Sequence, residues 1–163
     1  MQNYPHHYAV LARGEAMGDI SLEGYHLPNL QTAAPPEFDG PGDRWSPETL
    51  LVAAVADCFV LTFRGVARAM NVPWVSLECD VVGTLERSER VTQFTRFDLT
   101  ARLRLPAGTD PERARQTLDK AERGCLIANS LKGVSHLEVR LEIDADVPAE
   151  IAMDPQLTTA GGS

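Results

Sequence analysis

The stretch Ser46-Pro47-Glu48-Thr49-Leu50-Leu51-Val52-Ala53-Ala54-Val55-Ala56-Asp57-Cys58-Phe59-Val60-Leu61-Thr62-Phe63 decides the fold. Ser46 offers a side-chain oxygen to cap a helix, Pro47 suits the first helical position, and Glu48 places a carboxylate where the helix dipole favours one. From Leu50 to Phe63 the run is apolar almost all round, so the helix it forms must be covered on most sides. Arg64 and Arg68 carry it on to about Met70, where Asn71-Val72-Pro73 stops it. A long helix of this kind needs strands to pack on, and the flanking sequence supplies them.

Downstream, residues 75–85, 94–105 and 137–145 alternate with a period of two. Phe97, Leu99, Ala101, Leu103 and Leu105 fall on one face, and Leu137, Val139, Leu141 and Ile143 do the same in the last segment. These are expected as half-buried strands, the first two joined by a polar tip at residues 87–90. Between residues 105 and 137 a second helix is announced by Asp110 as cap and Pro111 at the first helical position, and is expected to close near Lys132-Gly133. Its apolar stripe is Ala114, Leu118, Ala121, Cys125, Ala128 and Leu131.

Upstream, residues 8–27 alternate loosely around Met17-Gly18-Asp19, which suggests a hairpin. Residues 32–42 form a Pro/Gly-rich loop long enough to suggest a functional role. The fold class expected is therefore α+β, with a mainly antiparallel sheet and two main helices. Residues 1–147 are expected to form a single domain and residues 148–163 a partly disordered C-terminal tail.

Composition narrows the function. The chain has 163 residues with 44% apolar content, enough for one buried core, and a net charge of -8. That negative field argues against nucleic acid and anionic lipid as partners. Met1 to His7 is polar and the apolar run after it is too short for a secretion signal, so a cytoplasmic location is expected and no membrane partner. Three widely spread cysteines, Cys58, Cys79 and Cys125, are an odd set for a secreted disulfide scaffold. No pair has zinc-knuckle spacing, and His6, His7, His26 and His136 are scattered, so no metal or other cofactor is expected.

Buried cysteines are most often small hydrophobes. Two observations favour chemistry here: Cys58 and Cys125 each lie on the packed stripe of one of only two helices, and Asp57 interrupts the apolar run beside Cys58. Cys79, in Leu77-Glu78-Cys79-Asp80-Val81, reads as a passive strand residue. Asp57, Arg64 and Arg68 form one polar face with no chemistry assigned.

The segment Ser46 to Phe59 resembles the first cysteine motif of the OsmC/Ohr family, a Pro-Glu helix start followed by an alanine-rich run, a Cys and an aromatic residue. Ala121-Glu122-Arg123-Gly124-Cys125-Leu126-Ile127-Ala128-Asn129-Ser130-Leu131 resembles the second motif. The likeness runs from about residue 8 to 146. It implies an OsmC-like intertwined homodimer and a two-cysteine peroxidase: Cys58 attacks an organic hydroperoxide, its sulfenic acid closes a disulfide with Cys125, and a dithiol reductant, possibly a lipoylated protein, resets it. An apolar pocket favours organic peroxides over hydrogen peroxide.

The same resemblance implies an arginine near the helix start that supports the thiolate and pairs with Glu48. The matching position in Pro36-Glu37-Phe38-Asp39-Gly40 is Glu37, which leaves Arg44, the favoured substitute, and Arg13. Glu48 itself lies about 15 Å of helical rise from Cys58. It therefore acts only through a bridging arginine or a site shared between subunits. Two alternatives stay open: an OsmC-fold ligand-binding or stress-response protein with little peroxidase activity, and a thiolate-metal site built from Cys58, Cys125 and a histidine.

Overall fold

In the computed structural model residues 3–148 are described, and they group into two compact units, one up to residue 51 and one from residue 52 onward. The expected tail lies, beyond Pro148, outside the described residues.

The first unit is a small antiparallel sheet in the order β1-β2-β3, formed by β1 (Val10–Arg13), β2 (Ile20–Gly24) and β3 (Leu30–Thr32). The expected hairpin is present, with Val10 opposite Gly24 and Arg13 opposite Ser21. The third strand is a correction to the sequence reading. It is three residues long, too short for alternation to register, and follows the turn at His26, whose φ is 57°. After a single 3-10 turn, Pro36–Phe38, the chain enters α1 (Pro47–Ala69), and the division between the units falls inside this helix.

The start of α1 is held as the sequence predicts. Thr49 N–H donates to Ser46 Oγ at 3.2 Å, and Ser46 N–H donates back to Thr49 Oγ1 at 2.8 Å, a reciprocal box that satisfies two otherwise orphaned groups.

The second unit is built on the sheet β4-β5-β6, formed by β4 (Ser76–Ser88), β5 (Val91–Ala107) and β6 (Val134–Pro148). β4 and β5 pair antiparallel through a tight turn at Glu89 and Arg90, both with positive φ, as a two-residue hairpin loop requires. β6 pairs parallel to β5, from Arg96 opposite Val134 onward, so this sheet is mixed. Parallel pairing needs a crossover of a dozen or more residues, and α2 (Pro111–Gly124) supplies it.

The helix-facing side of this sheet is the core. Phe97, Leu99, Ala101, Leu103 and Leu105 are buried, as the alternation predicts. Against them lie Val55, Phe59, Phe63 and Ala67, spaced four apart on one stripe of α1, and Ala114, Thr117, Leu118 and Ala121 of α2. Phe63 meets Trp74 edge-on with ring centroids 5.3 Å apart. Gly83 brings β4 close beneath α1, since a Cβ there would lie 2.7 Å from Val52 Cγ2. The opposite face is charged and laced across strands: Arg102 pairs with Asp80 and Glu78, and Arg104 with Asp144.

The second helix also departs from expectation. It does not run to residue 132 but stops at Gly124, and Cys125 takes an extended conformation at φ -68° and ψ 107° before α3 (Leu126–Asn129) begins. Asn129 Nδ2 donates to the Arg123 carbonyl at 2.9 Å, so a side chain fills an acceptor that the interrupted helix leaves open. The break turns the amides of Leu126 and Ile127 into the free donors of a new helical turn.

Leu103 is fully buried at the centre of β5. Leu103→Ala is expected to cost about 2–5 kcal/mol in urea unfolding, against under about 0.5 kcal/mol for the exposed Val82→Thr.

Candidate active site

The second unit brings Cys58 and Cys125 together. Cys58 sits half-buried on α1, Cys125 is buried at the junction of α2 and α3, and both are free thiols close enough for the ionisation of each to influence the other. Cys125 Sγ also lies 4.0 Å from the Val55 carbonyl, one turn before Cys58. Thr62, one turn after Cys58, places its hydroxyl 3.9 Å from Cys58 Sγ.

Ionisation of the two sulfurs is asymmetric. Burial pushes the Cys58 thiol up, but the Ile127 amide, the Cys125 thiol, the Thr62 hydroxyl and the Leu126 amide all favour its thiolate, and the net direction is down from the ordinary cysteine value. For Cys125, burial raises the pKa; the Ala128 and Ile127 amides work against that, but the neighbouring Cys58 adds to it, and the net direction is up. The same proximity that makes Cys58 easier to ionise makes Cys125 harder, because a proton kept on Cys125 favours a charge on Cys58. Of the two, Cys58 is the thiol that ionises more readily.

The third thiol is also not passive in the electrostatic sense. Burial, the Asp80 carboxylate and Cys125 together push Cys79 up to about 12. It is a strand residue on the helix-facing side of β4, opposite Ala101, and at neutral pH it stays protonated.

The remaining residues singled out by sequence lie in the first unit. Arg44 Nε donates to Asp19 Oδ2 at 3.0 Å, and its Nη1 lies 3.0 Å from Asp43 Oδ2. Arg13 Nε donates to Glu23 Oε1 at 3.0 Å. Both guanidinium groups are thus engaged with carboxylates of their own unit. Glu48 keeps one carboxylate oxygen, Oε2, buried with no hydrogen-bond partner among the described residues. It borders an apolar cavity of about 500 Å³ lined by Ile20, Leu22, Ala34, Phe38 and Leu50.

Sequence reasoning missed three contributors: Thr62 and the amides of Leu126 and Ile127. The first had a signal, because residues four apart on a helix face each other. So did the second, since Gly124 inside a helical pattern can mark a helix end. Among the described residues no group of three or more His, Cys, Asp or Glu side chains is arranged to hold a metal ion.

A sequence profile of the OsmC-like protein family matches residues 40–140. YmaD of Bacillus subtilis (strain 168), an uncharacterized protein, is 24% identical over 116 residues, covering 69% of this chain and 75% of its own. An OsmC-like protein of unknown function from Vibrio cholerae superposes with a TM-score of 0.73 at 20% identity, over 86% of this chain and all of that one. An organic hydroperoxide resistance protein from Legionella pneumophila gives 0.65 at 23% identity, over 88% of this chain and all of that one. At these identities the structural likenesses bear on the fold.

The raised Cys79 value has a consequence for stability. The folded chain keeps a proton there that the unfolded chain releases near the ordinary thiol pKa of about 8.5. The stability tied to this group is fully present below that pH and is lost as pH rises toward about 12. Urea unfolding between pH 8 and pH 10.5 should show a falling stability whose slope is shallower in Cys79→Ala, and equal slopes would contradict the assignment.

Proposed function

The chain belongs to the OsmC-like protein family, and from that membership together with its paired thiols we propose that it is a thiol-dependent peroxidase reducing organic hydroperoxides to alcohols. The observation that carries the reading is the approach of Cys125 to α1, its sulfur 4.0 Å from the Val55 carbonyl one turn before Cys58, with ionisation favoured on Cys58 and disfavoured on Cys125.

The Cys58 thiolate attacks the distal oxygen of the hydroperoxide, the O–O bond breaks, and the alkoxide takes up a proton and leaves as alcohol. Cys58 is then a sulfenic acid. The Cys125 sulfur, already beside it, attacks the Cys58 sulfur and displaces the hydroxyl as water, with the Cys125 proton supplying the balance. The product is a Cys58–Cys125 disulfide. Capture by a thiol already in contact protects the sulfenic acid from further oxidation. A dithiol of low molecular weight, or one carried on a lipoylated protein, then reduces the disulfide by exchange. Three free thiols suit a reducing compartment such as the cytoplasm.

Glu48 and Arg44 enter this reading in supporting roles. The buried Glu48 oxygen calls for a donor, and a second copy of the chain is its proposed source. α1 points the same way: only 22% of its most apolar 18 residues are buried within the chain, and Leu61 is half exposed. By length and composition the helix could span a bilayer. Asp57 at its middle is exposed, however, and an uncompensated carboxylate in hydrocarbon is costly. A homodimer covers the apolar surface without that cost. Arg44, paired on the surface with Asp19 and Asp43 at small energetic gain, is the proposed arginine available to that assembly.

One equivalent of cumene hydroperoxide should reduce the free thiols, counted after denaturation, from three to one, with Cys79 the survivor. Cys58→Ser should retain both of its remaining thiols. Three thiols left in the wild type would sink the peroxidase reading. Light scattering at micromolar concentration should give twice the chain mass, and Leu61→Lys should shift it toward monomer.

A further inference from the structure

Between Leu50 and Phe63 the polar side chains are Asp57, Cys58 and Thr62. Asp57 is exposed, whereas Thr62 is half-buried and turned to Cys58, its hydroxyl 3.9 Å from the sulfur. The rotamer has a visible support. The Thr62 methyl sits against Gly124, where a Cβ would come within 3.3 Å of it, so the glycine before Cys125 makes room for the methyl while the hydroxyl stays on the Cys58 side. The break after Gly124 is also what presents the Leu126 and Ile127 amides. One backbone feature therefore seats Thr62 and exposes the other donors.

We propose that Thr62 is a positioning residue that donates its hydroxyl to the Cys58 thiolate, completing a set of neutral donors with the Leu126 and Ile127 amides and the Cys125 thiol. This role rests on the peroxidase reading only for its consequence, since ionisation of Cys58 can be measured with no peroxide present. A thiolate in apolar surroundings needs either a cation or enough hydrogen bonds to replace the water it has lost. The second solution fits this site. Cys125 is the titratable group whose ionisation is linked to that of Cys58; Asp57 beside it on α1 and Arg123, two positions before Cys125, are exposed to solvent.

The direction of the effect follows from which form is bonded. A donor to the thiolate favours the charged form, so losing it raises the pKa and lowers the thiolate fraction at neutral pH. Thr62→Val keeps the shape and the methyl that meets Gly124, and removes only the donor. Thr62→Ser keeps the donor and removes the methyl.

The test is the pH profile of iodoacetamide alkylation at Cys58, read by peptide mass spectrometry on the full-length wild type and both variants, with melting temperatures checked. The inflection in Thr62→Val should move up by about half to one pH unit. Thr62→Ser should restore most of the difference. An unmoved or lowered inflection in Thr62→Val, or a serine variant that titrates like the valine one, overturns the proposal. If the valine variant shifts and the serine variant recovers while the wild type fails to consume cumene hydroperoxide, Thr62 keeps its role and the peroxidase reading alone falls.

Discussion

A half-buried thiol ionises readily only where hydrogen-bond donors replace the water it has lost, and the interruption of the second helix at Cys125 supplies amide donors near Cys58. Burial alone would push Cys58 up; the amides of Ile127 and Leu126 and the Cys125 thiol reverse the direction. All three become available because α2 ends at Gly124 and a new turn starts one residue later. Had the helix continued, those amides would have bonded to carbonyls four residues earlier and had nothing to give the sulfur. The packing around the break is tight: Cys125 approaches the Val55 carbonyl, and Gly124 lies under the Thr62 methyl.

The scaffold was legible in the sequence to the degree that single residues determine it. Ser46 and Pro47 announced α1 because capping is local chemistry, and the reciprocal bonds with Thr49 are its outcome. The alternation through Phe97, Leu99, Ala101, Leu103 and Leu105 marked β5 because only one face of that strand meets helices. The direction of β6 was not legible. Alternation is the same in either sense, and only the length of the α2 crossover bears on it. The break at Cys125 was hidden for a related reason, since Ala128 and Leu131 keep helical spacing with Ala121 and Cys125 even though the backbone does not stay helical between them.

At the site, the sequence places Cys58 and Cys125 on packed stripes, and two helices that share one sheet face share a seam. What supports the thiolate was not anticipated. Sequence inspection looks for charged residues, and it drew attention to Arg44 and Arg13, whose guanidinium groups each hold carboxylates of the first unit. Backbone amides carry no signature in a sequence, and a threonine in an apolar helix reads as a tolerated small residue. Neutral donors also suit an apolar substrate. They stabilise a charge on sulfur without placing a strongly hydrated cation in the space that the proposed organic hydroperoxide would enter.

Three thiols in one unit raise the question of which pair should join. Disulfide exchange begins with a thiolate, so the order of ionisation sets the order of reaction. Cys58 is lowered, Cys125 is raised, and Cys79 is raised to about 12, partly by Cys125 itself. In the proposed cycle Cys58 is the thiol that ionises most readily when peroxide arrives. Once oxidised, Cys58 no longer carries the charge that disfavours ionisation of Cys125, so the second sulfur is released to react by the first step. Cys79 gains little from that change, because burial and Asp80 still hold its proton. Kinetic preference for the Cys58–Cys125 bridge over one to Cys79 thus follows from electrostatics, with no need for the third sulfur to be far away.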